Sequence, residues 1–549
     1  MSGLLIACAQ ISAWVGDFAA NRAAALAAVR DAAGQGAQVV LLPEMAITGY
    51  PIEDLALRAS FQRAAESSAT ALAQQLAEEG LGGVVVVIGS LGVDQATGRP
   101  LNQALVLSGG EITQRYAKHH LPNYGVFDEY RVFAGGADPV VVEVAGHRLG
   151  LAICEDLWQD GGPVTGYEGA ELTALLVLNG SPFEDGKQQV RLEIAQRRAA
   201  QVNAPVVYTN LVGGQDDLVF DGGSFVVSPS GEVLARAGQF DPEVLLWDTS
   251  GARRGRLAPE LESDEQVYRA IVTGLRSYVQ QNGFKSVVLG LSGGIDSALV
   301  AVIAADAIGG QNVVGISMPS QWSSEHSKDD AADLAERIGA DYRVVPIAGI
   351  TGAFEQVTEV SGVAAENLQA RARGMVLMTV SNMEGHLVLA PGNKSELAAG
   401  YSTIYGDAVG GYGPIKDVLK SRVWALARWR NNHALDHGEI PPIPESSITK
   451  PPSAELRPGQ LDSDSLPAYD QLDPVIAAYV EHGEGWAELA ARGFDAEVIA
   501  RVLGLVDRAE WKRRQYPPGP KVTALSFSRD RRLPISNRWR EQPDSGPTE

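Results

Sequence analysis

Three residues with complementary chemistry stand at the ends of apolar runs in the first half of the chain. Glu44 ends AQVVLLPE, Lys118 lies in RYAKHHLPNYG, and Cys154 lies in GLAICEDLW. A thiolate is a strong nucleophile, a nearby ammonium lowers the pKa of a thiol, and a carboxylate can accept its proton. Together they would suffice for acyl transfer, with Lys118 supporting the charge of the tetrahedral oxyanion. Taken singly, such residues are commoner as buried thiols, our interpretation of Cys8, or as solvated rim charges.

A second candidate site is the turn SGGIDS, which lies between the apolar run VVLGL and the helical pattern ALVAVIAA. Such a turn directs backbone N–H groups into one concavity at a helix N-terminus, which suits a phosphate chain. A carboxylate beside bound phosphate needs a cation between them, so Asp296 indicates Mg²⁺. The turn lacks the GK[ST] ending of a Walker A loop. ATP binding is assigned to Gly290, Leu291, Ser292, Gly293, Gly294, Ile295, Asp296 and Ser297.

The elements that would position these residues form two α/β units. Up to about Ser250, short apolar runs bounded by Gly, Pro, Asn or Asp alternate with amphipathic segments such as NRAAALAAVRDAAGQGA. Beyond GARRGRLAPE, strands and helices alternate in the manner of a doubly wound parallel sheet. We predict an N-terminal domain over 1–250, a linker over 251–262 and a C-terminal domain over 263–549 that becomes proline-rich from about Asn431 and ends in a basic tail.

Composition restricts the class of protein. A chain of 549 residues, 45% hydrophobic and 20% charged, can bury the cores of two large domains. Its net charge of −22 argues against nucleic acid as a partner, because the phosphate backbone would be repelled. Two cysteines fit a reducing compartment, and MSGLLIACAQIS lacks the features of a signal peptide. We therefore expect a cytoplasmic protein with no membrane partner.

The first half also resembles the nitrilase superfamily, whose Glu-Lys-Cys triad occurs in motifs of this form and chain order. The resemblance covers roughly residues 1–245 and implies a four-layer αββα sandwich. NYGVFDEYR is similar to the branch of this superfamily that hydrolyses glutamine. By that similarity Glu129 would be an auxiliary acid beside the triad, and glutamine would be bound by Tyr124, Phe127, Glu155, Ser181 and Lys187.

The SGGIDS turn resembles the pyrophosphate loop of N-type ATP pyrophosphatases, which cleave ATP between the α and β phosphates. ENLQARARGMVL, APGNKSELAAGYSTIYGD and KRRQYPPGPK are similar to segments of NAD synthetases, and nearly the whole chain resembles the glutamine-dependent family of these enzymes. The resemblance implies a Mg²⁺ ion held by Asp296 and Glu396, and a homo-oligomer. It also implies deamido-NAD contacts from Asn367, Arg371, Glu396 and Lys512.

The implied reaction converts deamido-NAD, ATP and glutamine to NAD, AMP, diphosphate and glutamate, through an adenylated intermediate and channelled ammonia. Two positions depart from the family pattern: Pro391 replaces a threonine that contacts ATP, and Ile404 stands where ammonia-only synthetases usually have a lysine. Arg371 and Arg373 would equally fit an exposed charged helix face. Two alternative functions stay open, an amidotransferase with another acceptor and a non-catalytic nucleotide-binding protein, although an intact triad and loop disfavour the second.

Overall fold

The structure, a computed structural model, describes residues 3–543 of the chain. The chain divides into two compact units, Met1–Leu261 (unit 1) and Glu262–Glu549 (unit 2). Within the predicted linker, Leu257 pairs with Arg236, and Ala258 is buried in unit 1. Among the described residues, none of the helices combines the length and the apolar character needed to cross a membrane.

Unit 1 is built mainly of strands with a few long helices. Its strands are β1 (Leu5–Gln10), β2 (Val39–Leu41), β3 (Val85–Val93), β4 (Pro100–Ser108), β5 (Glu111–Ala117), β6 (Val141–Val144), β7 (His147–Ile153), β8 (Ala174–Asn179), β9 (Val206–Asn210), β10 (Val212–Gln215), β11 (Leu218–Asp221), β12 (Phe225–Val227), β13 (Val233–Arg236) and β14 (Glu243–Asp248). Its helices are α1 (Phe18–Gly34), α2 (Ala59–Glu78), α3 (Glu129–Val132), α4 (Gly162–Gly166) and α5 (Lys187–Val202).

Two six-stranded sheets form the centre of unit 1. The first has the order β14-β1-β2-β3-β4-β5, and the second has the order β13-β12-β9-β8-β7-β6. Buried side chains of both sheets, Leu41 and Leu176 among them, form one apolar layer between the sheets. Helices α1 and α2 cover the other face of the first sheet, and α5 covers that of the second. The four-layer αββα fold implied by the resemblance is thus confirmed.

The central strands are apolar throughout because they are buried on both faces. In β8, Leu176 and Leu178 point into the layer between the sheets, whereas Leu175 and Val177 pack in the cluster under α5. Strands β1, β2 and β3 are parallel, as are β7, β8 and β9. The carboxyl ends of parallel strands share one edge of a sheet, so residues that follow them are brought close together.

Unit 2 is mainly helical. Its helices are α6 (Ser263–Gln281), α7 (Ile295–Ile308), α8 (Glu325–Ile338), α9 (Ala348–Glu355), α10 (Val363–Glu384), α11 (Lys394–Ala399), α12 (Lys420–Asp436), α13 (Glu445–Thr449), α14 (Tyr469–Ile476), α15 (Trp486–Ala491), α16 (Ala496–Arg508) and α17 (Glu510–Arg513). Its strands are β15 (Val287–Gly290), β16 (Val313–Ser317), β17 (Asp341–Val344) and β18 (Leu387–Val388).

The strands of unit 2 form a parallel sheet with the order β17-β16-β15-β18. The chain moves outward from β15 to β17 and then returns to the other side of β15, so the strand order reverses next to β15. Helix α10 covers the face that carries Val288 and Ile316, and α7 also packs against β15 and β16. In doubly wound sheets, ligands bind beyond the carboxyl ends of the strands at such a reversal. The predicted parallel sheet is confirmed.

The region after about Asn431 is more ordered than its proline content suggests. Helices α14 and α16 pack with α11 around an apolar cluster that includes Leu472, Val475 and Leu503. The sequence pattern alone indicated only a proline-rich stretch with a basic end. The structure instead shows a helical layer behind the GNKSE segment.

Candidate active sites

The three residues of the predicted triad in unit 1 follow strands of both sheets. Glu44 follows β2 and Lys118 follows β5 directly, while Cys154 follows β7 and begins a single 3-10 turn, Cys154–Leu157. Cys154 has a φ of 44°, a left-handed conformation that costs a non-glycine residue about 1–3 kcal/mol. Its side chain is buried, as are those of Glu44 and Lys118. The fold therefore holds a strained thiol at the end of a buried strand.

An ion-pair cluster lies at the centre of this site. Lys118 Nζ lies 2.8 Å from Glu44 Oε1 and 2.8 Å from Glu129 Oε2. Asn102 Nδ2 donates to Glu44 Oε1 at 2.7 Å, and the backbone N–H of Gly180 donates to Glu44 Oε2 at 2.8 Å. The structure thus brings the predicted auxiliary acid together with the predicted base and lysine. The shared ammonium therefore holds both carboxylates in position.

The electrostatics of the cluster favour a neutral thiol before reaction. Burial raises the pKa of Cys154 well above its ordinary value; Glu44 raises it further and Lys118 opposes the shift. Burial alone would lower the pKa of Lys118, but the carboxylates of Glu129 and Glu44 outweigh it and keep the ammonium charged. Burial raises the pKa of Glu129 to about 7. The arrangement suits transfer of the thiol proton to a carboxylate during nucleophilic attack, not beforehand.

Sequence reasoning missed the polar groups that hold the two acids. Tyr50 donates its hydroxyl to Glu129 Oε1 at 2.8 Å, and Asn102 and Gly180 both donate to Glu44. Asn102 offered a weak signal, because it is an amide side chain that is fully buried within strand β4. Gly180 offered none, since its contribution is a backbone N–H group.

Three of the predicted glutamine contacts form one connected group that begins at Glu155, the residue after Cys154. Glu155 directly follows Cys154 and is buried, and its Oε2 accepts a hydrogen bond of 2.9 Å from the Tyr124 hydroxyl. The Tyr124 ring packs edge-on against Phe127, with centroids 5.7 Å apart. Tyr124 is 53% exposed, so this aromatic pair forms an outer wall. The roles of these residues toward glutamine stay predictions.

The other two predicted contacts, Ser181 and Lys187, follow strand β8. Ser181 Oγ accepts from Arg191 Nε at 3.1 Å, and Arg191 is in turn paired with Asp221 at 2.8 Å in a fully buried ion pair. Lys187 begins α5 and places its ammonium 6.0 Å above the ring of Trp158. Arg191 was not predicted, although it anchors the loop that carries Ser181.

In unit 2 the SGGIDS turn joins β15 to α7, as predicted. Gly293 has a φ of 75°, and a Cβ atom there would lie 2.2 Å from the carbonyl oxygen of Ser327 in α8. Ser297 Oγ donates to the carbonyl of Gly294 at 3.0 Å and lies 3.1 Å from Ser292 Oγ. Glycine is therefore required at position 293 for both conformation and space. The turn ends at the N-terminus of a long helix, which favours anions.

The two predicted metal ligands lie on either side of a buried lysine that was not predicted. The ammonium of Lys420 contacts Asp296 Oδ2 and lies 3.9 Å from Glu396 Oε1. Asn393 donates to Asp296 Oδ1 at 2.9 Å and also caps α11, the helix that carries Glu396. Burial raises the pKa of Glu396 well above its ordinary value; Asp296 adds to the shift and Lys420 opposes it. A cation beside these acids would relieve their repulsion.

The donor set fits Mg²⁺ only with help from a ligand. Within residues 3–543, no group of three or more His, Cys, Asp or Glu side chains is arranged as a metal site. Asp296 and Glu396 provide two carboxylates, which are hard oxygen donors. Mg²⁺ is commonly held by one or two carboxylates and completes its shell with water and substrate phosphate. These two residues therefore fit a magnesium–phosphate complex.

A cavity of about 520 Å³ lies beside this cluster in unit 2. Its lining includes most of the SGGIDS turn, Pro391 and three of the predicted dinucleotide contacts, Asn367, Glu396 and Lys512. Lys512 Nζ donates to the carbonyls of Gly400 and Ser402 at 2.9 and 3.1 Å, and so fixes the loop that bears Ile404.

The fourth predicted dinucleotide contact, Arg371, lies elsewhere. Arg371 does not line the cavity; its side chain is exposed and Nε donates to the carbonyl of Ile404 at 3.3 Å. Arg373 lines the cavity in its place, with Nε donating to the carbonyl of Met318 at 3.1 Å. Two residues along a helix change direction by about 200°, so the packing of α10 decides which arginine faces inward.

The lysine of GNKSE is buried and bonded on several sides. Lys394 Nζ lies 2.9 Å from Asp417 Oδ1 and 2.7 Å from Glu481 Oε1. It also donates to Thr523 Oγ1 at 2.6 Å and to the carbonyl of Leu525 at 2.9 Å. The backbone next to Asn393 and Glu396 is thereby tied to a segment near the C-terminus.

Comparison with known proteins gives the family. Residues 5–256 match the model of carbon-nitrogen hydrolases, and residues 267–516 match that of NAD synthases. The glutamine-dependent NAD(+) synthetases of Acinetobacter baylyi and Rhodobacter capsulatus are 43% and 44% identical, each over 98% of this chain and 99% of the relative. The structure of the Acinetobacter baumannii glutamine-dependent NAD+ synthetase with ADP aligns with a TM-score of 0.76 and 40% identity, over 98% of this chain and all of that one. The chain belongs to the family of glutamine-dependent NAD(+) synthetases.

Proposed function

We propose that this chain is an ATP-dependent ligase that makes NAD from deamido-NAD with nitrogen taken from glutamine. One observation carries the proposal. A single chain holds a buried Glu44–Lys118 pair beside the Cys154 thiol, and also a phosphate-type turn beside the acids Asp296 and Glu396. The first set is equipped to release ammonia from an amide, and the second to handle a nucleotide triphosphate.

In unit 1, Cys154 would attack the side-chain amide carbon of glutamine while Glu44 accepts the thiol proton. Lys118 stays charged and stabilises the oxyanion that forms on the amide oxygen. Glu44 then returns the proton to the leaving nitrogen, ammonia departs, and a thioester remains on Cys154. Water, activated by Glu44, hydrolyses this thioester to glutamate. Glu129 keeps the ammonium of Lys118 in position throughout.

In unit 2, the backbone N–H groups of the SGGIDS turn would hold the phosphates of ATP. The carboxylate of deamido-NAD attacks the α-phosphorus, diphosphate leaves, and an acyl adenylate results. Ammonia then attacks the acyl carbon and AMP leaves. Asp296 and Glu396 would hold Mg²⁺, which neutralises phosphate charge when it is bound. Lys420 lies between these acids and would supply a further positive charge close to the bound phosphates.

Direct delivery of ammonia explains why both chemistries occur on one chain. In water at neutral pH ammonia is mostly protonated and therefore not nucleophilic. Transfer without release into solvent keeps it neutral and at a high effective concentration. We propose such channelling for this chain, and also assembly into a homo-oligomer in the cytoplasm.

The test is product analysis of the purified chain with deamido-NAD, ATP, Mg²⁺ and glutamine, each omitted in turn. We expect NAD, AMP, diphosphate and glutamate in equal amounts. Cys154→Ala should abolish NAD formation from glutamine and keep it with ammonium chloride. Asp296→Ala should abolish it with both nitrogen sources. Failure of ammonium to rescue Cys154→Ala would refute the division of labour, and AMP release only with another acceptor would refute deamido-NAD.

A further inference from the structure

Glu44 and Lys118 follow strands of the first sheet of unit 1, whereas Cys154 follows a strand of the second. The layer between the sheets is apolar, and apolar contacts are non-directional. Apolar contacts hold the two sheets face to face, but they do little to prevent one sheet from sliding along the other. The reacting atoms need a tighter registration, because a displacement of about 1 Å can lower a rate about 100-fold.

Asp156 makes a polar connection between the sheets at this point. Its Oδ1 accepts from the backbone N–H groups of His119 and His120, at 3.0 and 2.9 Å. Its Oδ2 accepts from the Tyr116 hydroxyl at 2.6 Å and from the backbone N–H of Ile153 at 2.9 Å. Tyr116, His119 and His120 surround Lys118 in sequence, whereas Ile153 immediately precedes Cys154.

The Asp156 carboxylate is fully buried and accepts hydrogen bonds on both of its oxygens. Asp156 is 0% exposed, and each of its two oxygens accepts hydrogen bonds from two donors. A buried carboxylate is tolerable only when it is fully hydrogen-bonded in this way. The bond to Ile153 also closes the turn at Cys154, whose left-handed φ of 44° persists only if its surroundings enforce it.

We infer that Asp156 is a positioning residue for the glutamine-hydrolysing reaction: it locks the segment of Lys118 to the turn of Cys154 and so sets the distance between ammonium and thiol. This inference rests on the proposed function of unit 1. Asp156 touches neither the substrate nor the reacting atoms. Its effect passes through the backbone on both sides.

The test uses three variants of the full chain. Asp156→Asn keeps the shape but turns an NH₂ group toward N–H or O–H donors, so one of the two segments must move. Tyr116→Phe removes one of the four bonds and leaves the rest. Asp138→Asn is the control for the Asp→Asn change, because Asp138 is an exposed aspartate of unit 1.

We expect kcat for glutamine hydrolysis to fall about 100-fold in Asp156→Asn and about 10-fold in Tyr116→Phe, with KM changed less than about 3-fold. The rate of Cys154 alkylation by iodoacetamide should fall, and its pH profile should move upward because Lys118 supports the thiolate less. Cys8 does not interfere, since it is fully buried and burial raises its pKa to about 12. NAD formation from ammonium chloride should stay unchanged in both variants, and Asp138→Asn should match the unmodified chain in every measurement.

Unchanged kcat and an unchanged alkylation profile in both variants would overturn the inference. The inference would also be overturned if activity fell only because less protein folded, with a normal kcat per folded site and a normal pH profile of alkylation. Should Asp156→Asn not fold, Tyr116→Phe decides alone. An unmodified chain that lacks glutamine hydrolysis, yet shows the shifted alkylation profile in the variants, would refute the proposed function and leave the positioning role standing.

Discussion

Replacing Gly293 by alanine should damage the phosphate turn in a predictable way. The new Cβ would lie 2.2 Å from the carbonyl oxygen of Ser327, which is backbone of α8 and cannot rotate away. Relieving such overpacking costs about 1–3 kcal/mol. The φ of 75° adds about 1–2 kcal/mol for a residue with a Cβ. Alanine also reduces the conformational entropy of the unfolded chain, which offsets about 0.4–1 kcal/mol of this loss. The net loss in the free energy of unfolding is therefore about 1–5 kcal/mol, with a central value of about 3 kcal/mol.

Gly339 provides a matched control for the clash. It ends α8 with a φ of 68°, and nothing lies within 4 Å of a Cβ built there. Gly339→Ala therefore has the conformational cost without the clash and should lose only about 1 kcal/mol. The difference in stability loss between the two variants gives the cost of the clash between a Cβ atom at position 293 and the backbone of α8.

Two measurements decide the outcome. Urea unfolding gives the stability, and the transition that ATP shifts to higher urea is the one that belongs to unit 2. NAD formation from ammonium chloride at saturating ATP gives the activity, which should fall at least about 100-fold in Gly293→Ala and stay normal in Gly339→Ala. If Gly293→Ala matched Gly339→Ala in both stability and rate, our reading of the turn as a tightly packed phosphate cradle would be refuted.

Two predictions concern unit 1. Burial raises the pKa of Glu129 from 4.5 to about 7, so between these pH values the folded state binds more protons and the free energy of unfolding falls as pH rises. The stability difference between the unmodified chain and Glu129→Gln should follow this slope in urea titrations at several pH values; a pH-independent difference would contradict it. Arg191→Met leaves the buried Asp221 without its ion-pair partner, which should lower the free energy of unfolding by about 3–5 kcal/mol. It should also raise KM for glutamine. Adding Asp221→Asn should restore much of the stability, measured by the urea midpoint, but should not restore KM.

The strand ends that carry the site were predictable from the sequence. Glu44, Cys154 and Asp296 all follow short apolar runs, and a strand buried on both faces leaves few other places for a functional side chain. The pairing of the strands into two sheets was not predictable from these patterns. The αββα arrangement came from the resemblance, since periodicity alone does not tell which buried strands are neighbours.

Residues that act through tertiary contacts could not be found in this way. Lys420 begins a helix with mixed charged and apolar residues and looks like a solvated lysine until α12 places it between Asp296 and Glu396. Which of Arg371 and Arg373 lines the cavity depends on how α10 is rotated against the sheet, and the sequence does not reveal that rotation. Asp156 follows two predicted residues, Cys154 and Glu155, but its four partners lie in or just after β5 and at the end of β7.

The buried bonds of Lys394 give the end of the chain a role in the integrity of the nucleotide site. Two of its acceptors, Thr523 and Leu525, lie within the last thirty residues of the sequence. Loss of the chain from Thr523 onward would remove two of the four partners of this buried ammonium and leave it only Asp417 and Glu481, one residue from Asn393 and two from Glu396. We therefore expect truncations or fusions near the C-terminus to disturb the proposed nucleotide site, although the two are far apart in sequence.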